Sequence, residues 1–229
     1  MRIAVSGTYS TGKTLTTMAL AHLTGIPRSA ALTMRELLPI SVPGKTLEEC
    51  TASEIVMLIV RRNQGRAVSE SHLPDGFISD GSSLHEWCYG TVRVLVGINP
   101  NDSIGVGDVE LTEELAFYAD IMRQIGMASK QYAEQSYDVF VHLPIEFGLK
   151  PDGHRPVNER FRVLADQMLR DTVGELGIPF HEVGGTVAER LTTTADLLGL
   201  RSVVPIEEAI ARAEVDYARI DLTLEGSRT

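Results

Sequence analysis

Residues Gly7-Thr8-Tyr9-Ser10-Thr11-Gly12-Lys13-Thr14 follow the apolar run Ile3-Ala4-Val5 and lead directly into a segment with helical character. Strand, glycine loop and helix in that order fit the phosphate-binding pattern G-x-x-x-x-G-K-[ST]. Gly7 and Gly12 let the backbone curl, so that the N–H groups between Gly7 and Gly12 turn towards phosphate oxygens. The following helix adds its positive end and its unpaired first-turn N–H groups. Lys13 has the reach to meet β- and γ-phosphates, and the Thr14 hydroxyl suits Mg²⁺. Thr8, Tyr9, Ser10, Thr11 and Thr16 complete the candidate nucleotide contacts. The ligand class these residues suit is a nucleoside triphosphate.

The rest of the composition sets limits. A chain of 229 residues suits one domain with its own core, and 43% hydrophobic with 23% charged residues is ordinary for a globular protein. A net charge of −10 argues against a general nucleic-acid or acidic-membrane surface. Cys50 and Cys88 have no metal-ligand spacing and read as free thiols. The first strand starts at once, so no signal peptide is expected. The longest apolar run, Ile55 to Val60, is too short to span a bilayer. The expected location is the cytoplasm, with neither nucleic acid nor membrane as partner; a homo-oligomer is allowed.

Read in order, residues 2–6 form a buried strand and 12–24 a helix stopped by Gly25. Residues 26–32 are open between loop and a short strand. Thr33 and Glu36 have capping-box form, and Pro39, Pro43 and Gly44 mark a loop after them. Thr51 and Glu54 form a second capping box and open a helix to about residue 69. Glu54, Arg61, Arg62 and Trp87 are candidate substrate contacts. A solvated basic face explains the arginines equally well, and core packing is the commoner role for the single tryptophan. His85 reads as an exposed polar residue.

Phe77-Ile78-Ser79-Asp80 is a short strand ending in a carboxylate. In an open parallel sheet, ligands gather outside the carboxyl ends of the strands. A carboxylate there can hold Mg²⁺ through water or accept a proton from an attacking hydroxyl; the alternative is that it merely caps the next helix, expected over 83–95. Residues 97–110, rich in Gly, Asn and Asp, read as a mobile loop. A long helix over 111–135 and an apolar strand over 137–143 follow, with His142 as a paired core residue. The stretch Lys150-Pro151-Asp152-Gly153-His154-Arg155, with Arg160 and Arg162 beyond it, is a glycine- and proline-rich loop carrying arginines. Such a loop can close over a site and steady a transferring phosphoryl group. Arg155 and Arg160 are the first choices for that role, on a lid spanning 144–162. A final strand over 178–183 runs into Gly184-Gly185-Thr186, either a tight turn or a place for a purine ring against backbone. Residues 205–219 make an acidic amphipathic helix.

Three features stand in order: GTYSTGKT near the amino terminus, FISDGS at a strand end, and PDGHR with Arg160 ahead of a helix. Together they resemble the P-loop small-molecule kinases, nearest to the nicotinamide riboside kinase-like domain of the NadR type, a branch often labelled AAA-like ATPase. FISDGS also looks like the acid-x-Ser turn of deoxynucleoside kinases, although Gly81 stands where that family usually has Arg. The resemblance spans about residues 1–200. It implies phosphate contacts from Gly12, Lys13 and Thr14, a base or metal role for Asp80, a lid role for Arg155, and adenine beside Gly184 and Gly185.

The expected fold is an α/β P-loop NTPase three-layer sandwich: a parallel sheet of about five strands, helices on both faces and a small lid. Residues 1–200 would form the kinase-like domain, and 201–229 its last helix and tail. The expected activity is transfer of a phosphoryl group from ATP, with Mg²⁺, to a hydroxyl of a small molecule, nucleosides and nucleoside-like metabolites being first among the candidates. Lys13, Asp80, Arg155 and Arg160 would be the catalytic set. The alternative is an ATPase, GTPase or nucleotide-binding regulator acting on a protein partner.

Overall fold

The computed structural model describes residues 1–99, 110, 112–148 and 158–220. Four parallel strands form one sheet: β1 (Arg2–Ser6), β2 (Phe77–Asp80), β3 (Val139–His142) and β4 (Phe180–Glu182), in the order β2-β1-β3-β4. The glycine-loop strand is therefore central. Its register pairs Val5 with Asp80 on one side and with Val141 on the other.

A parallel sheet is covered on both faces, so its strands are apolar throughout rather than alternating. Ile3, Ala4 and Val5 are all fully buried. Because side chains alternate in direction along a strand, Ile3 and Val5 face one layer and Ala4 the other. Ile3 and Val5 join Leu20 and Leu23 of α1 (Lys13–Thr24), Leu191 of α7 (Val187–Leu198) and Ala209 of α8 (Ile206–Ala218). Ala4 and Phe140 pack with Leu84 and Cys88 of α4 (Ser83–Val96), Ala133 of α5 (Glu113–Ser136) and Leu169 of α6 (Glu159–Glu175). A helical lobe extends the second layer. Leu37 and Leu38 of α2 (Met34–Ser41), and Ile55, Leu58 and Ile59 of α3 (Ala52–Ser71), bury against Tyr118 and Met122 of α5. The helices of that layer touch closely at glycines: a Cβ at Gly90 would lie 2.5 Å from Met122 Sδ.

The sandwich expected from sequence is present, with helices on both faces. Among the described residues the sheet has four strands, close to the five or so expected, and the segment after α1 makes only a bridge. Arg28 pairs with Ile78, held by Ser29 N–H on the Ile78 carbonyl and Ile78 N–H on the Pro27 carbonyl. Pro27 itself has no N–H to extend the ladder. Helix α2 runs through Pro39 to Ser41 instead of yielding to a loop, and the Val42 N–H closes on the Leu38 carbonyl. The thiols of Cys50 and Cys88 are free and buried. No helix among the described residues is long and apolar enough to cross a membrane. Most of the 97–110 loop and the 149–157 part of the lid lie outside the described residues.

Candidate functional site

The loop between β1 and α1 is shaped by contacts to its neighbours. Gly7 has φ +124°, and a Cβ there would lie 2.4 Å from the Leu143 carbonyl oxygen. Only glycine allows the loop to leave β1 this close to the end of β3. Ser10 and Gly12 also have positive φ, 62° and 87°. Ser10 is the one non-glycine in that region among the described residues, a cost the surrounding contacts must hold in place. The Thr8 carbonyl accepts from Thr11 Oγ1 at 2.8 Å and from Lys13 Nζ at 2.6 Å. The buried hydroxyls of Thr8 and Thr16 have no partner among the described residues. Thr14 is half-buried on the first turn of α1.

That helix, like α8, starts without a side-chain cap. Side chains cap α2 through α7: Thr33, Thr51, Ser82, Thr112, Asn158 and Thr186 each accept a first-turn N–H. Helix α1 begins at Gly12 with no side-chain cap. Its positive end faces the loop's concavity, the arrangement that suits an anion.

Asp80 arrives beside this loop through backbone pairing. Gly81 N–H donates to the Val5 carbonyl at 2.9 Å, two residues before Gly7. Asp80 itself is half-buried at the end of β2. Behind it lies a buried polar network. Arg66 Nη1 donates to Ser79 Oγ at 2.6 Å, and Arg66 Nη2 to the Asp80 carbonyl at 3.1 Å. Glu70 stands 3.8 Å from Arg66 and accepts from Ser79, Tyr132 and Tyr137 hydroxyls. Burial pushes the Tyr132 phenol up to about 12, and Glu70 beside it adds to the shift. These hydroxyls therefore remain donors at neutral pH.

His85 is not exposed, as its polarity suggested, but only 3% accessible. Its place at the third position of α4 turns it inward, where Nδ1 accepts the Ser82 N–H at 2.9 Å. The ring thus does the work that Glu does in other capping boxes. Burial, and then the positive charge of Lys13 with that of Arg66 and Arg62, drives its pKa well below the ordinary value of 6.5. The neutral ring carries its proton on Nε2, which has no partner among the described residues.

The remaining candidates separate. Arg62 forms a largely buried ion pair with Glu86 at 2.8 Å, one helical turn along α3 from Arg66. Glu86 is the partner that sequence reasoning did not assign. Arg61 is exposed and donates to Ser41. Glu54 caps α3 and pairs with Lys45 at 2.8 Å. Trp87 packs into the core, its indole where a Cβ on Gly126 of α5 would lie 2.5 Å from Nε1. Arg160 is half-buried on the first turn of α6, and Arg155 lies outside the described residues. Arg162 is fully buried and donates to the Phe147 carbonyl at 2.7 Å, while its Nε and Nη2 have no partner among the described residues. His142 is buried and paired, with Ser6 Oγ at 2.9 Å and Asp166 at 3.3 Å.

Gly184 and Gly185 make room for carboxylates. A Cβ on Gly184 would lie 2.5 Å from Glu146 Oε1, and one on Gly185 2.7 Å from Glu189 Oε2. Gly185 N–H donates to Glu146 Oε1 at 2.7 Å. That bond, and then the Arg190 guanidinium, outweigh burial and hold the Glu146 carboxyl below its ordinary value. A cavity of about 380 Å³ lies at the opposite end of the sheet, lined by Met1, Gly25 and Pro74 among others, and holds none of these groups.

A family model described as an AAA domain matches residues 2–190. The chain belongs to this AAA domain family. The match takes in the glycine loop, Asp80 and Arg190 in one continuous span. No curated protein matches the chain. Among solved structures, a deoxyadenosine kinase from M. mycoides, with products dCMP and a flexible dCDP bound, superposes with a TM-score of 0.54 at 12% identity. The alignment covers 87% of this chain and 99% of that one. At that identity the likeness is one of fold.

Proposed function

We propose that this AAA-domain protein is an ATP- and Mg²⁺-dependent phosphotransferase acting on a hydroxyl of a small molecule, with a nucleoside or nucleoside-like metabolite as the acceptor class. The observation that carries the reading is the uncapped amino terminus of α1 at the carboxyl end of the central strand, with Asp80 brought beside it by the β1–β2 register. The parts present fit the nucleotide and its metal. The unpartnered Thr8 and Thr16 hydroxyls, the Thr14 hydroxyl and the Asp80 carboxylate are hard oxygen groups around a positive helix end. Bound MgATP supplies the transferable phosphoryl group and neutralises its charge.

The chain's own residues do the rest. Lys13 exchanges the Thr8 carbonyl for phosphate oxygens. Asp80 orients the acceptor hydroxyl and takes its proton. Arg160, with Arg155 from the lid, steadies the charge on the transferring group. Arg62 and Glu86 line the acceptor side. Gly184 and Gly185 would lie by the adenine through backbone contact. The deoxyadenosine kinase likeness supports the nucleoside class. The family description keeps a second reading alive, hydrolysis coupled to a protein partner.

Substitution Asp80→Asn tests the assignment. Nucleotide affinity should stay within about threefold, while phosphoryl transfer falls by about 10²–10⁴. Unchanged transfer removes Asp80 from its role. Steady hydrolysis independent of any acceptor favours the second reading.

A further inference from the structure

One long-range contact that grips the phosphate loop from outside comes from α7. Arg190 is 2% accessible, and its Nη1 donates to the Thr11 carbonyl at 2.7 Å. Its Nη2 donates to Glu146 Oε2 at 2.5 Å, and the other oxygen of Glu146 accepts the Gly185 N–H at 2.7 Å. A single guanidinium thus ties together the loop after β1, the segment after β3 and the turn after β4. A planar two-pronged donor is required, because one prong serves a carbonyl and the other a carboxylate.

The chemistry of the peptide bond gives this clamp a consequence. The bond between Thr11 and Gly12 is trans, so its C=O and N–H point in opposite directions. Arg190 holds the C=O outwards, away from the concavity. The Gly12 N–H is thereby turned inwards, next to the uncapped start of α1. Glycine suits position 12 on two counts: its φ is +87°, and a Cβ there would press on Arg190 Nη1 at 3.1 Å. An unclamped Thr11–Gly12 peptide would be free to rotate and present its carbonyl, a repulsive group, to a phosphate.

We propose that Arg190, braced by Glu146, is a positioning residue that fixes the Thr11–Gly12 peptide plane and so sets the affinity of the loop for the phosphate chain of the nucleotide. The inference rests on the nucleotide-binding part of the function proposed above but not on the acceptor or on transfer. Its energetic signature is dependence on phosphate number. Arg190 acts on the loop through the Thr11 carbonyl, so its loss should fall mainly on ligands whose terminal phosphates enter the loop.

The experiment is equilibrium titration of the full chain with ADP and AMP, AMP by displacement of a fluorescent adenine nucleotide, alongside the melting temperature of the free protein. Arg190→Met should weaken ADP about 10- to 100-fold and AMP by less than about threefold, as expected for loss of a charge-assisted contact. Glu146→Gln keeps an acceptor for Gly185 and loses the ion pair; it should weaken ADP about 3- to 10-fold and stand in for Arg190→Met if that variant does not fold. Because Glu146 acts through Arg190, the double variant should bind ADP no more weakly than Arg190→Met alone. A merely structural role moves the melting temperature without separating ADP from AMP. Equal losses for ADP and AMP, ADP binding unchanged in both single variants, or additive losses in the double variant would overturn the clamp while leaving the function standing. A wild-type protein that binds no adenine nucleotide would overturn the function and the clamp with it.

Discussion

Replacing Arg66 by Met should destabilise the protein sharply and loosen the end of β2. Arg66 and Glu70 are 1% and 3% accessible, 3.8 Å apart, and Arg66 also donates to Ser79 and to the Asp80 carbonyl. Removing one partner of a buried ion pair costs about 3–5 kcal/mol, because the other charge stays behind uncompensated. Here Glu70 keeps the hydroxyls of Ser79, Tyr132 and Tyr137 as donors, which places the loss near the lower end, at about 3 kcal/mol. For a chain of this size that is a fall in Tm of roughly 6–12 °C. Urea unfolding is the assay, with the midpoint shifted and the slope unchanged. Adding Glu70→Gln to Arg66→Met should recover about half of the loss, since no buried charge is then left. A single-variant loss under about 1 kcal/mol, or a double variant less stable than the single one, would refute the reasoning.

Other outcomes follow from the same structure. His85 is neutral in the folded protein below its ordinary pKa of 6.5, so the unfolded chain binds the extra proton there. Stability should therefore be full above that value and fall with decreasing pH through 6.5 towards 5, by up to about 1.4 kcal/mol per unit; His85→Gln should remove this slope in urea titrations. Gly126→Ala should cost about 1–3 kcal/mol by overpacking, since its Cβ would meet the Trp87 indole at 2.5 Å. Gly65→Ala, inside α3 with nothing within 4 Å of its Cβ, should instead stabilise by about 0.5–1 kcal/mol in thermal unfolding.

Local chemistry made most of the fold legible. Capping boxes at Thr33, Thr51 and Thr186 announce their helices, Gly25 ends α1, and short apolar runs mark the strands. The phosphate loop is readable because its function needs glycines and Lys13 at fixed spacing. What the sequence hides are partners far apart along the chain. Arg190 and Thr11 lie 179 residues from each other, and nothing near Arg190 distinguishes it from a surface arginine on an amphipathic helix. Glu86 finds Arg62, and Glu146 finds Gly185, only once α3, α4 and the turn after β4 are packed. His85 misleads because a polar residue at the third helical position usually faces solvent, whereas here the start of α4 is itself buried.

The most direct test of the central claim is incubation with Mg²⁺-ATP and a panel of nucleosides, sugars and amino-alcohols, following ADP release together with the mass of each acceptor. The account predicts one acceptor class that stimulates ADP release and gains a single phosphate. Hydrolysis at the same rate with every acceptor and with none, and no phosphorylated product, would contradict it.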